Sequence, residues 1–376
     1  MKSFGLAVST MVGTIIGAGI FGIPYVISKS GIVPSVFYFA ALTFLVVLLH
    51  LFFGEICLRT EGKHRLVGYA HLYLGARGRL FASLAFLFVL TGTLLAYVIL
   101  AGNFLEIVFS PFLPLSNVAY SLLFLLGCAF FIAQGRQLIT KAEFFLNIGI
   151  FAVVGIIAFF AFPHIALENF TVLNIPHLFL PYGVILFALV GLEAIPEVAS
   201  FLKDTKSNTS LKKVIITATI LASLLCLVFA LAVVGVSGTS TTEDALAGLL
   251  SFLGQNVIFL GSFFGVLTIV SSFLVIGNYM KNSLRHDFGV PTPIALSLVV
   301  FLPAFPFLLG LREFIGVIGV VGSVIGAVEG VLIIAIFQKA KTMGQRVPEF
   351  NVSLPKPVLF LMALLLFAGA VAELVL

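Results

Sequence analysis

Long apolar runs, each closed by a short polar stretch, divide this chain. The runs fall near 4–28, 32–57, 79–109, 115–133, 138–162, 178–202, 211–238, 256–280, 291–309, 312–337 and 356–376. About 20 such residues carry a helix across the hydrocarbon of a bilayer. The pattern therefore predicts an all-α integral membrane protein with 11 transmembrane helices. One stretch, TEGKHRLVGYAHLYLGA at 60–76, is too polar to cross. Its Leu66, Tyr69, Ala70, Tyr73 and Leu74 repeat at helical spacing, so a helix lying along the membrane surface is expected there. No small-residue cleavage site ends the first run, which is read as a retained helix and not a signal peptide.

Composition agrees with that pattern. Of 376 residues, 61% are hydrophobic and 9% charged, where a soluble domain has about 45–50% and about 25%. A soluble fold cannot hide so much apolar surface. The net charge of +5 does not point to a nucleic-acid partner, because the basic residues sit in short loops on alternate sides. They run from Lys2 through Arg59, Lys63, Arg65, Arg77 and Arg79, then Arg136 and Lys141, then Lys203, Lys206, Lys212 and Lys213, then Lys281 and Arg285, to Lys339, Lys341, Arg346 and Lys356. Only Lys29 and Arg312 fall in the intervening loops. Cytoplasmic loops carry the excess of Lys and Arg, so the N-terminus is expected in the cytoplasm and the C-terminus outside, in the plasma (inner) membrane. Cys57, Cys128 and Cys226 stand alone in apolar runs, with neither disulfide nor zinc spacing.

Two short stretches answer each other. GIFGIP at 19–24 and GLEAIP at 191–196 both read Gly-x-x-small-Ile-Pro inside a spanning run. The same offset carries predicted spans 2 to 5 onto spans 7 to 10. Five is odd, so the second copy enters from the opposite side. The chain is thus expected to be one transporter domain, 1–376, built of two inverted five-helix repeats, about 4–162 and about 178–337, plus an extra helix at 356–376. Inverted repeats with interrupted helices at matching positions are an arrangement of secondary transporters.

Glycine and proline weaken a helix by about 1 and about 3 kcal/mol against alanine. GTIIGAGIFGIP at 13–24 nevertheless carries Gly13, Gly17, Gly19, Gly22 and Pro24. An unpaired backbone group in lipid costs several kcal/mol, and irregular backbone persists there only where protein or a polar cavity covers it. Helices 1 and 6 are therefore expected to be discontinuous, unwinding near Ile16–Gly19 and Val190–Glu193. Each break leaves N–H groups at one half-helix end, suited to a carboxylate, and carbonyls at the other, suited to an ammonium or metal cation. Two facing breaks make a receptor for a molecule bearing both charges, such as a free amino acid. Close helix packing by small residues is the other use of such glycines, and it applies best to Gly13 and Gly17.

These residues also resemble a known group. GTIIGAGIFGIP is similar to the first-helix motif of the amino acid/polyamine/organocation transporter superfamily, and FALVGLEAIPEV to its sixth-helix motif. FGVLTIVSSFLVIGNYMKN and the loop GEICLRTEGKHRLVGYAHLYLG resemble the aromatic amino-acid permease and amino acid/auxin permease branch. The resemblance implies a leucine-transporter-like fold and alternating access. It places a substrate carboxylate on the amides of Gly17, Ala18 and Gly19. It places the amine on carbonyls near Ile15, Ile16 and Phe187–Val190, beside Gly191 and Leu192. Tyr97 is a candidate pocket residue, although a buried tyrosine also serves packing. Ile20, Phe187, Leu192 and Phe264 would make an apolar lining, which favours a neutral, aromatic or branched side chain.

No cofactor is expected beyond a coupling ion. Thr268, Ser271 and Ser272 share one helix face, and hydroxyl oxygens suit a small hard cation. In sodium-coupled relatives the matching trio meets first-helix carbonyls, here those of Val12 and Ile15. The alternative is that these hydroxyls bond their own helix. Some relatives put a fifth-helix lysine in this place and run on protons, but 142–162 holds no Lys or Arg, which favours Na+. Two intramembrane carboxylates keep H+ open: Glu193 in the second break and Glu329 within the tenth span. Glu106 lies toward the outer end of the third span, while Glu55, Glu143 and Glu197 are expected to reach the basic loops.

The reading is cation-coupled symport of a neutral amino acid, with exchange or amino-acid sensing by the same fold as alternatives. No metalloprotease or triad spacing argues for an enzyme. The expected partners are a small-molecule amino acid and the lipid bilayer, with no nucleic acid. The sequence leaves the oligomeric state open.

Overall fold

In hydrocarbon only a helix or a closed barrel satisfies its own backbone, and the described parts of every apolar run are helical apart from short interruptions. The computed structural model describes residues 2–62, 64–134, 151–204 and 210–375. The first part of the fifth predicted span lies outside these residues, as do Lys63, Arg136, Lys141, Glu143 and Lys206.

Helices α1 (Lys2–Ile15) and α2 (Gly19–Ser30) share the first run, and α3 (Ile32–Arg59) takes the second. The third and fourth runs give α4 (Leu66–Phe109) and α5 (Asn117–Gln134). An apolar helix α6 (Phe151–His164) covers the described part of the fifth. The sixth run divides into α7 (Leu180–Leu189) and α8 (Ala194–Asp204), and α9 (Leu211–Ser237) follows. A short α10 (Leu250–Leu253) leads into α11 (Gln255–His286), then α12 (Thr292–Leu308). The tenth run forms α13 (Phe314–Val324) and α14 (Val331–Met343), and α15 (Lys356–Val375) ends the chain. Among the described residues eight helical segments are long and apolar enough to cross a membrane, and the bent α1–α2 pair makes up to nine. Helices α6 and α12 are shorter apolar helices.

Two elements differ from expectation. The tenth run is interrupted by a π-helical turn, Ile325–Gly330, between α13 and α14, and Glu329 sits on it. The polar segment before the third span is helical from Leu66 and is set off from the rest of α4 by Gly75, whose φ of 71° is left-handed. Its repeating face does not lie against lipid. Leu66, Tyr69, Ala70 and Tyr73 are buried. The Tyr69 ring meets Phe53 edge-on at 5.7 Å, and the Tyr73 hydroxyl bonds Thr60 Oγ1 at 2.7 Å. The apolar face predicted for the membrane surface is docked on α3 instead.

Connections brace the bundle at both ends. Beyond α6, Thr171 and Val172 accept from Ile32 N–H (2.8 Å) and Val33 N–H (3.2 Å), and Asn174 N–H donates to Ser30 C=O at 2.8 Å. At the opposite end of α3, buried Glu55 pairs with Arg59 at 2.7 Å and accepts from Val352 N–H at 2.6 Å. Arg59 C=O takes the N–H groups of Gln345 (2.9 Å) and Arg346 (3.1 Å). The connection between α14 and α15 is thereby fastened to α3. As expected, Glu55 serves the basic end of its helix. Helix α15 is held in turn by the Tyr182 hydroxyl of α7, which donates to Leu366 C=O at 3.1 Å.

Candidate functional site

Both interrupted runs stop where an amide no longer finds the carbonyl one turn back. Past α1, Ile16 N–H still reaches Val12 C=O at 2.9 Å, but Gly17 N–H turns to Ile15 C=O at 3.0 Å. Helix α2 then opens with Phe21 N–H on Ala18 C=O at 3.1 Å, and the axes of α1 and α2 differ by 56°. The unwound residues are Ile16, Gly17 and Ala18, one fewer than expected, because Gly19 already begins α2. Among the described residues the N–H groups of Ala18 and Gly19 have no backbone partner.

The second break is built differently. Helix α7 closes with Val190 N–H on Leu186 C=O at 3.2 Å, and Val190 is extended, with φ −80° and ψ 131°. Helix α8 opens with Ala194 N–H on Gly191 C=O (3.3 Å) and Ile195 N–H on Leu192 C=O (3.2 Å). Among the described residues the Phe187 and Val190 carbonyls accept no backbone hydrogen bond. Each break thus leaves both kinds of group: the Gly13 and Thr14 carbonyls at the end of α1, and the Leu192 and Glu193 N–H groups before α8, also have no backbone partner among the described residues.

The breaks lie against each other. A Cβ on Gly191 would sit 2.5 Å from Ile15 Cγ1, and one on Gly19 would sit 2.7 Å from Ala188 Cα and 3.0 Å from Phe187 Cδ1. Ile20, Phe187 and Leu192 are buried here, while Phe264 is only half-buried. Phe21 extends the apolar wall through edge-on contacts with Phe104 (4.9 Å) and Phe229 (5.7 Å).

Tyr97 joins the group from α4. Its hydroxyl occupies the space a Gly17 side chain would need, 2.7 Å from that Cβ position, and it lies near Ser272 of α11. Ser272 is thereby close to the residue that packs on the first break. Thr268 Oγ1 donates to Phe264 C=O of its own helix at 3.0 Å, the local bond anticipated as an alternative use of this hydroxyl. Ser271 is buried. The Val12 and Ile15 carbonyls already accept from Ile16 and Gly17, and each keeps a second lone pair.

Glu193 is half-buried in the second break, and Glu329 is buried on the π turn. The two lie within electrostatic reach of each other, and both act on Tyr279 of α11. The Arg65 guanidinium stacks 4.4 Å from the Tyr279 ring centroid and donates to Ser283 Oγ at 2.8 Å. The structure therefore groups the two carboxylates that the sequence singled out separately. Glu106 belongs elsewhere: its Oε2 accepts from Asn117 at 2.9 Å.

Several residues of the site escaped the sequence reading, among them Phe21, Tyr279 and His50. His50 of α3 is fully buried. Its Nε2 accepts from Gly191 N–H at 3.2 Å, and its Nδ1 meets Thr219 Oγ1 of α9 at 2.9 Å. The signal was present in LVVLLHLFFGE, a lone ionisable residue inside an apolar span, and such a residue is by default a candidate for function.

Comparison with known proteins adds three findings. The profile of the tryptophan/tyrosine permease family matches residues 1–375. Glutamine transporter 2 of Aliivibrio fischeri is 23% identical over 334 residues, which cover 86% of this chain and 85% of that protein. The crystal structure of MhsT in complex with L-phenylalanine superposes with a TM-score of 0.63 at 14% identity, over 98% of this chain and 96% of MhsT, a likeness of fold.

Proposed function

This chain belongs to the tryptophan/tyrosine permease family, within the amino acid/polyamine/organocation transporters of leucine-transporter-like fold, and on that premise we propose that it moves a neutral amino acid across the membrane by cation-coupled symport. The observation that carries the proposal is the apposition of the two breaks, Gly191 against Ile15 and Gly19 against Ala188 and Phe187. Unpaired N–H groups at Ala18 and Gly19 suit the carboxylate, and unpaired carbonyls at Phe187 and Val190 suit the ammonium. The apolar wall of Ile20, Phe21, Phe187 and Leu192 suits an aromatic or branched side chain. The family's name and the phenylalanine bound to MhsT agree with that choice, whereas the Aliivibrio relative is named for glutamine.

Eleven crossings arranged as two inverted repeats and an added helix fit this function. The eight long segments, the bent pair and the shorter apolar helices α6 and α12 would supply them. The matching GIFGIP and GLEAIP each fall where a half-helix begins. Alternating access would then rock one set of helices about the breaks, which serve as hinges. The alternation of basic loops supports a cytoplasmic N-terminus and an external C-terminus.

For the coupling ion, the grouping of Glu193, Glu329 and Tyr279 supports H+, since a buried carboxyl is a reversible proton carrier. A second reading, Na+, is supported by Ser272, which lies near the Tyr97 hydroxyl beside the first break. The test is uptake of labelled tryptophan, tyrosine, phenylalanine, leucine and glutamine into proteoliposomes, with pH and Na+ gradients imposed separately. Accumulation driven by one inward cation gradient is the expected result. Gradient-independent exchange would make the protein an antiporter. Binding without flux would make it a sensor.

A further inference from the structure

In an uninterrupted helix the Gly191 N–H would donate to the Phe187 carbonyl, four residues back. Here it donates to His50 Nε2 at 3.2 Å instead, and Phe187 C=O is left without a backbone donor among the described residues. The peptide joining Val190 to Gly191 is trans and planar, so its C=O points opposite to its N–H. Fixing the N–H on α3 fixes the Val190 carbonyl on the far side.

The same ring is anchored from behind. An imidazole nitrogen that accepts a hydrogen bond carries no proton, so in the neutral ring the proton is on Nδ1. That nitrogen faces Thr219 Oγ1 at 2.9 Å and donates to it. Thr219 and His50 are both fully buried. A satisfied polar pair of this kind has a defined orientation, and leaving one member unpaired in an apolar setting is costly. The chain α9–α3–Gly191 therefore has one stable arrangement, and in it the break between α7 and α8 stays open.

We propose that His50 is a positioning residue for the substrate ammonium group: by capturing the Gly191 N–H, it frees the Phe187 carbonyl and aims the Val190 carbonyl as acceptors for the amine. This deepens the amino-acid transport reading and rests on it. His50 itself does not touch the substrate. Without it, Gly191 N–H can turn back to Phe187 C=O, extend α7 and remove one acceptor. The substrate carboxylate, held at Ala18 and Gly19 in the first break, is untouched by that change.

The test separates amine from carboxylate. Wild-type protein in proteoliposomes is given the aromatic amino acid it takes up best, and the acid lacking that α-amino group is used as competitor. The His50→Leu variant should raise KM for the amino acid about 10- to 100-fold, as expected for a misplaced binding group. It should leave the inhibition constant of the desamino acid within about twofold, so discrimination between the pair collapses. His50→Gln, whose amide oxygen can accept from Gly191 N–H, should recover most of the discrimination. Thr219→Val keeps the imidazole but removes its anchor, and should lower discrimination by a smaller factor even if the Leu variant does not fold. Unchanged discrimination in these variants, or a parallel rise in both constants, overturns the proposal. Failure of the wild-type protein to take up any amino acid would instead overturn the transport reading beneath it.

Discussion

The break between α1 and α2 and the break between α7 and α8 are held open by different means. The first is made largely by its own residues. Gly17 N–H turns back on Ile15 C=O, and the lack of a side chain at Gly17 admits the Tyr97 hydroxyl. The second has a single glycine, and its exposed amide is taken by His50, which is 141 residues away in sequence. One break is thus a property of a peptide segment, and the other is a property of three helices packed together. Each leaves both N–H groups and carbonyls without backbone partners, so the N–H groups of the first can be used together with the carbonyls of the second. A zwitterion needs both ends at once.

The largest expected effect tests the self-made break. A methyl group on Gly17 would lie 2.7 Å from Tyr97 Oη, with the next ring atom, Cζ, at 3.5 Å. Gly17→Ala should therefore lower uptake about 100-fold through misplacement of the binding amides. Tyr97→Phe removes the offending oxygen and leaves ordinary contact. The double variant Gly17→Ala/Tyr97→Phe should regain at least about tenfold over Gly17→Ala alone, a non-additivity that marks direct contact. If the two losses simply multiply, the break does not depend on that contact.

This contrast also explains what could be read from sequence. GTIIGAGIFGIP holds four glycines within ten residues, so the unwinding was predicted to within one residue. Val190–Glu193 was found through its likeness to the first stretch, and the structure breaks the helix over the same four residues. What keeps that second break open was not legible, because a hydrogen bond between His50 and Gly191 depends on how α3 packs beside α7 and α8. The π turn at Ile325–Gly330 was missed for a related reason. Inserting one extra residue into a turn leaves an apolar run apolar, and only the cost of placing Glu329 there hinted at function. The docked face of Leu66–Tyr73 was misjudged because an amphipathic stripe looks the same whether it meets lipid or protein.

A smaller effect is expected at the carboxylates beside the second break. Glu193→Gln should lower accumulation driven by an inward pH gradient about tenfold or more and leave exchange of internal for external substrate nearly unchanged. The sign follows from proton symport. Uptake by the native protein is greatest with acid outside, and a side chain that cannot titrate removes that advantage. Glu329→Gln should act in the same direction but more weakly, since Glu329 lies on the π turn and not in the break. Equal responses of wild type and Glu193→Gln to the pH gradient would remove this carboxyl as the carrier.

The smallest effect is expected at Thr268, and it sharpens the choice of ion. Thr268 Oγ1 is turned onto Phe264 C=O of its own helix at 3.0 Å. A local bond of this kind contributes about 1 kcal/mol or less to net stability, and valine has nearly the same shape. If the proton carried by Glu193 drives transport, Thr268→Val should change KM and maximal rate by less than about threefold. If Na+ is the coupling ion, the same oxygen still has a lone pair to offer. Its loss would remove one of a few hard ligands from a weakly held cation. The apparent Na+ affinity, measured from the Na+ dependence of uptake, would then fall by about tenfold or more. A single conservative change thus separates an oxygen that only satisfies its own helix from one that coordinates an ion. The first break contributes ion ligands only in the second case, because the Val12 and Ile15 carbonyls are already bonded within the chain and would have to take up the cation with their remaining lone pairs.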